Sequence, residues 1–153
     1  MWNRQAILLS IYIGLISGIL LGLFLKLVEN ITGILVYTLL LNIDFIPGIG
    51  AINWTEPIEF IFHLLVSIVI GFVFVFLALK LQIGQNFKKL LGLSFLLCLP
   101  TFALFFILSL LAIKEVPVWN DWTAFSYWTI AHIFYIWLIP TLYIKLLPSH
   151  IDQ

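Results

Sequence analysis

The chain has 153 residues, of which 63% are hydrophobic and 9% are charged, and its formal net charge is zero. This composition excludes a separate soluble domain of useful size and a basic surface for nucleic acid, and it favours one compact membrane domain. The single cysteine, Cys98, excludes an intramolecular disulfide.

Four apolar segments are each long enough to cross a bilayer, because about 20 helical residues span the hydrocarbon core of about 30 Å. They cover approximately residues 6–28, 57–79, 90–113 and 122–147. We therefore predict an all-α membrane protein, a four-helix transmembrane bundle that forms a single domain over residues 1–153.

The charges are sorted by sign along a path of four spans. The basic residues beside one set of span ends are Arg4, Lys80, Lys88, Lys89 and Lys145. The acidic residues beside the other set are Glu29, Asp44, Glu56, Glu59, Glu115 and Asp121. Since positive charge accumulates in cytoplasmic loops, we predict that both termini are cytoplasmic.

The first span carries Gly14, Gly18 and Gly22 at four-residue intervals. This spacing places small residues on one helix face, where another helix can approach closely. That helix could belong to the same chain or to a second copy, so a homo-oligomer through the first span remains open. Lys26 continues the same row, and Glu29 follows three residues later, within reach of an ion pair.

Residues 31–46, between the first two spans, are only partly apolar. The apolar part would extend about 16 Å as a helix, which is too short to cross a bilayer. A crossing here would also move Lys80, Lys88 and Lys89 to the other side and remove the charge asymmetry. We predict an interfacial or re-entrant segment.

Polar side chains descend from the acidic side on two of the spans. Glu59 and His63 share one stripe of the second span, and His132 lies about 15 Å into the fourth. Ionisable groups within a membrane are costly and usually face the bundle interior, where they find partners. We expect one pocket, open to the outer side, that contains Lys26, Glu29, Glu59, His63 and His132.

Three roles for this polar cluster remain open. It could hold the helices in register through hydrogen bonds and ion pairs. It could serve a proton- or ion-linked transporter or a pH sensor, because histidine titrates near neutral pH and a carboxylate such as Glu59 favours its charged form. It could also belong to an intramembrane metal-binding protein or enzyme, with Glu59, His63 and His132 as metal ligands, although the chain contains no HExxH motif. We predict no cofactor, resident metal or catalytic residue, and leave any small-molecule ligand unassigned.

Three runs of residues carry a family resemblance. They are Gly-Leu-Ile-Ser-Gly from Gly14 followed by Lys26 and Glu29, the run from His63 to Val69, and the run from Ala131 to Trp137. In these runs the chain resembles the YagU-like family of small bacterial inner-membrane proteins, whose molecular function is unassigned.

The resemblance implies a multi-pass protein of the bacterial cytoplasmic membrane and a role for both histidines. In that family we expect a carboxylate one turn before the fourth-span histidine, whereas this chain has Trp128 there. An acid partner for His132 would therefore have to come from Glu59 on the neighbouring helix. We expect a function in envelope or acid-stress homeostasis that responds to external pH.

Overall fold

The computed structural model describes residues 4–50 and 52–147, and the secondary structure within them is entirely helical. The helices are α1 (Arg4–Thr32), α2 (Val36–Leu41), α3 (Glu56–Lys80), α4 (Phe87–Leu111) and α5 (Trp122–Leu146). All except α2 are long and apolar enough to cross a membrane, so the predicted fold class is confirmed. Their ends lie within four residues of the bounds expected from the sequence.

Local chemistry explains where three of the long helices begin. The Asn86 side chain accepts a hydrogen bond from the Lys89 backbone N–H at 3.1 Å, and the Asp121 side chain accepts one from the Ala124 N–H at 2.9 Å. Both contacts satisfy backbone donors that the first helical turn leaves unpaired. In α3, a proline and two glutamates occupy the first turn, where proline geometry and negative charge are both favourable.

The four long helices form a bundle that is open on one side. α1 packs closely against α3 and α5, and α4 packs closely against α5. α3 and α4 approach each other over far less of their length. The order around the bundle is therefore α3, α1, α5, α4, with a gap between the first and the last.

A proline inside α5 is accommodated by the neighbouring helix. Pro140 has no N–H, so the carbonyl of Ile136 loses its usual helical partner. The Ser94 hydroxyl on α4 donates a hydrogen bond to this carbonyl at 2.8 Å. In a membrane, where water cannot satisfy a freed carbonyl, this contact ties α4 to α5.

The segment after the first span contains the short helix α2, which contacts all four long helices. Its residues Val36, Leu39 and Leu41 are buried in the bundle. The segment therefore closes one end of the bundle, at the carboxyl end of α1 and the amino end of α3. Whether it is interfacial or re-entrant in a bilayer stays a prediction.

Candidate functional site

The glycine face of α1 packs against α3 within the chain. A Cβ atom added at Gly14 would lie 2.5 Å from the Cα of Ile68, and one added at Gly18 would lie 2.7 Å from the Cβ of Ser67. A Cβ added at Gly22 would meet the ring of Phe60. The glycines thus allow the two helices to approach closely. Because α3 occupies this face, it is not free for a second copy, and oligomer formation stays a prediction.

Glu29 has a different partner from the one expected. Its carboxylate accepts hydrogen bonds from the backbone N–H groups of Tyr37 and Thr38, both at 2.8 Å, and from the Thr38 hydroxyl at 2.8 Å. The expected ion pair with Lys26 is not formed, because Lys26 pairs with Glu56 instead. The beginning of α2 presents unpaired N–H groups, and an ionised carboxylate is a strong acceptor for them.

The carboxylate of Glu56 links three elements. It accepts hydrogen bonds from Lys26 on α1 and, at 3.0 Å, from the hydroxyl of Tyr37 on α2. Burial and the hydrogen bond to Glu56 raise the pKa of Tyr37, so this hydroxyl remains a neutral donor. The Lys26 ammonium also lies 5.4 Å from the centre of the Tyr37 ring. These contacts fix α2 across the ends of α1 and α3.

Two further acids bind the segment after α4. The Asp44 carboxylate accepts hydrogen bonds from the backbone N–H groups of Ile113 and Lys114, at 2.9 and 2.6 Å. The ammonium of Lys114 pairs with the buried carboxylate of Glu59 on α3. Lys114 therefore supplies the partner of Glu59, which forms no hydrogen bond or ion pair with a histidine in the described part of the chain.

A cavity of about 420 Å³ lies between α3, α4 and α5, below the segment that contains α2. We call it the histidine cavity, because both His63 and His132 line it. Its walls are mainly leucine, isoleucine, valine and phenylalanine side chains, and its other polar lining residues are Asn42, Ser67, Thr101, Trp128 and Tyr135. The cavity occupies the gap that the bundle leaves between α3 and α4.

Backbone carbonyls hold both histidine rings. His63 Nε2 lies 3.0 Å from the Gly18 carbonyl oxygen on α1, and His132 Nδ1 lies 2.8 Å from the Trp128 carbonyl oxygen one turn earlier on α5. His132 is buried and stacks on the Trp128 ring with 4.5 Å between ring centres. Trp128, which replaces the expected carboxylate, thus supports His132 through both its ring and its backbone.

A hydrogen-bonded chain connects three helices beneath the histidines. The Ser67 hydroxyl donates to the Gly14 carbonyl at 2.7 Å and lies 2.8 Å from the Tyr135 hydroxyl. Since Ser67 has only one hydroxyl proton, Tyr135 donates to Ser67. Both residues are buried, and they fix the relative position of α1, α3 and α5.

The structure divides the expected single pocket into two. Lys26, Glu29 and Glu59 line a polar pocket of about 250 Å³ at the end of the bundle, together with Tyr37, Thr38 and Glu56. His63 and His132 line the histidine cavity instead, and a shared role for all five residues stays a prediction. Over residues 4–50 and 52–147, no group of three His, Cys, Asp or Glu side chains could hold a metal ion. The metal site of Glu59, His63 and His132 considered above is therefore not formed there.

Several residues of these sites carried little signal in the sequence. Asn42 is marked in the sequence because it interrupts an apolar run, and Ser67 because it is the one hydroxyl-bearing residue of the second span. Tyr135 and Trp128 lie within an aromatic-rich helix, where nothing distinguishes them from packing residues. Comparisons of the chain with protein-family models, with curated proteins and with solved structures find no match.

Proposed function

We propose that this integral membrane protein binds a lipophilic molecule with a polar head group in the histidine cavity. The observation that carries the proposal is a cavity of about 420 Å³ with apolar walls and a few buried polar groups. Small-molecule sites in proteins typically have volumes of about 300–1,000 Å³ and this same division between apolar lining and polar groups.

The ligand would enter sideways, from the hydrocarbon of the bilayer. Leu65 and Val66 on α3 and Leu104 on α4 line the cavity, yet each side chain is exposed rather than buried. These apolar residues border the gap between α3 and α4. A lipophilic molecule could therefore pass between the two helices without crossing water.

The biological setting is part of the proposal. The resemblance to the YagU-like family supports a bacterial cytoplasmic membrane, and the charge distribution supports cytoplasmic termini. A ligand taken from the bilayer would be consistent with a role in envelope homeostasis.

A labelling experiment tests the proposal. A long-chain alcohol that carries a photoactivatable diazirine is added to the protein in lipid nanodiscs, and labelled peptides are mapped by mass spectrometry. We expect labelling to concentrate on residues that line the cavity. Val66→Trp, which fills the entrance, should strongly reduce it. Equal labelling along all lipid-facing surfaces would contradict the proposal.

Val69→Trp is the matched control. Val69 and Val66 lie three residues apart on α3 with side chains of the same type and similar exposure, 59% and 61%. Only Val66 lines the cavity. Val69→Trp should therefore leave labelling of the cavity unchanged.

A second candidate is a proton-linked or pH-responsive protein, as the sequence suggested. It is favoured by two histidines that line one cavity and have no carboxylate partner among the described residues, since protonation would place a charge in apolar surroundings. Proteoliposomes with an imposed pH gradient test it. We expect the wild-type protein to dissipate the gradient and the His63→Ala variant not to. If the wild-type protein does not dissipate the gradient, a proton-linked transporter is excluded.

A further inference from the structure

Among the residues that line the histidine cavity, Asn42 carries a buried hydrogen-bond donor that has no partner in the described part of the chain. Asn42 is only 4% exposed, and its Oδ1 accepts a hydrogen bond from the Asp44 backbone N–H at 3.1 Å. This contact fixes the orientation of the amide and leaves Nδ2 as the free end. Nδ2 is buried and has no hydrogen-bond partner among the residues that the structure describes. Buried donors are normally paired, so a ligand acceptor would remove an unfavourable feature.

The two histidines supply acceptors to the same cavity. A backbone carbonyl can only accept a hydrogen bond, so His63 carries its proton on Nε2 and His132 carries its proton on Nδ1. In a neutral ring, the other nitrogen is then an acceptor. His63 Nδ1 and His132 Nε2 form no hydrogen bond with any described residue. A neutral ring is favoured because the surrounding walls are apolar and a buried charge is costly.

We infer that the molecule bound in the histidine cavity is a lipid alcohol, with a hydroxyl head group on an apolar body. The inference rests on the proposed function and specifies its ligand. A hydroxyl can act both as an acceptor, which Asn42 Nδ2 lacks, and as a donor, which a histidine nitrogen lacks. An ether of the same size can accept but not donate, and a carboxylate would bring a charge into an apolar cavity.

Competition in the wild-type protein tests this inference without a substitution. Dodecanol and dodecyl methyl ether compete with the photoactivatable alcohol for labelling of the cavity. Dodecanol should compete at a concentration about tenfold lower, because the ether leaves a buried histidine acceptor unpaired. Equal competition would overturn the hydroxyl assignment while leaving the proposed function intact. An absence of cavity labelling by the probe would overturn both.

Variants assign the two halves of the head-group contact. Asn42→Ala should weaken competition by the alcohol and the ether equally, since both accept from Asn42. Replacing both histidines, His63→Phe with His132→Phe, should abolish the preference for the alcohol. Ser109→Ala is the control, because the Ser109 hydroxyl is also buried and unpaired among the described residues but does not line this cavity. An unchanged preference in the double histidine variant would contradict the assignment.

Discussion

The close contact between α1 and α3 predicts that a side chain larger than hydrogen at Gly14 destabilises the protein. In Gly14→Ala, the new methyl group would lie 2.5 Å from the Ile68 Cα, whereas ordinary van der Waals contacts lie at 3.4–4 Å. The obstacle is backbone, which cannot rotate away as a flexible side chain can. The two helices must therefore separate locally, which would also lengthen the 2.7 Å hydrogen bond from Ser67 to the Gly14 carbonyl.

The expected loss of stability in Gly14→Ala can be worked out from these contacts. Overpacking a well-packed interior costs about 1–3 kcal/mol. Weakening an interhelical hydrogen bond in a membrane protein adds about 0.6 kcal/mol. Alanine recovers up to about 1 kcal/mol of helix propensity relative to glycine. We therefore expect Gly14→Ala to lower the free energy of unfolding by about 1–3 kcal/mol.

Gly92→Ala is the matched control for this experiment. Gly92 is also helical, on α4, but a Cβ added there would have no described atom within 4 Å. The Gly92→Ala variant should be as stable as the wild-type protein or slightly more stable. Unfolding is followed by circular dichroism as SDS is titrated into protein in mild detergent. A Gly14→Ala variant as stable as Gly92→Ala would refute the close packing of α1 against α3.

Three further contacts give testable predictions. Ser94→Ala should lower the free energy of unfolding by about 1 kcal/mol. The loss should be smaller in a Pro140→Ala background, because there the Ile136 carbonyl regains a helical partner, and equal losses in both backgrounds would contradict this. Glu29→Gln should speed amide hydrogen exchange at Tyr37 and Thr38, whose N–H groups donate hydrogen bonds to the Glu29 carboxylate, whereas the control Glu115→Gln at an exposed site should not. Asp44→Ala should speed exchange at Ile113 and Lys114, and unchanged rates there would exclude its contact with the segment after α4.

The four spans could be predicted from the sequence because membrane crossing depends on a local property, the length of an apolar run. The glycine row also indicated a close helix contact correctly, since its spacing is fixed by the helix itself. The choice between α3 and a second copy as the partner was not readable from that spacing, because any helix with a smooth surface could occupy the face.

The polar pairings could not be predicted, because they depend on how the segment around α2 folds back. Sequence distance favoured Lys26 with Glu29, but α2 presents unpaired N–H groups to Glu29 and leaves Lys26 to Glu56. Lys114 reaches Glu59 only because the segment after α4 returns to the same end of the bundle. The gap between α3 and α4 could not be predicted from the sequence either. Because α4 is apolar on all sides, its sequence does not indicate which face lines the cavity.

Nuclear magnetic resonance of histidine ring nitrogens would test the central claim most directly. Protein with ¹⁵N-labelled histidine is placed in nanodiscs, and the spectrum is recorded before and after addition of dodecanol. We expect His63 to be protonated on Nε2 and His132 on Nδ1, and dodecanol to shift His63 Nδ1 or His132 Nε2 in the wild type but not in Val66→Trp. Ring-nitrogen resonances that do not respond to dodecanol in the wild type would contradict a lipid-alcohol site in the histidine cavity.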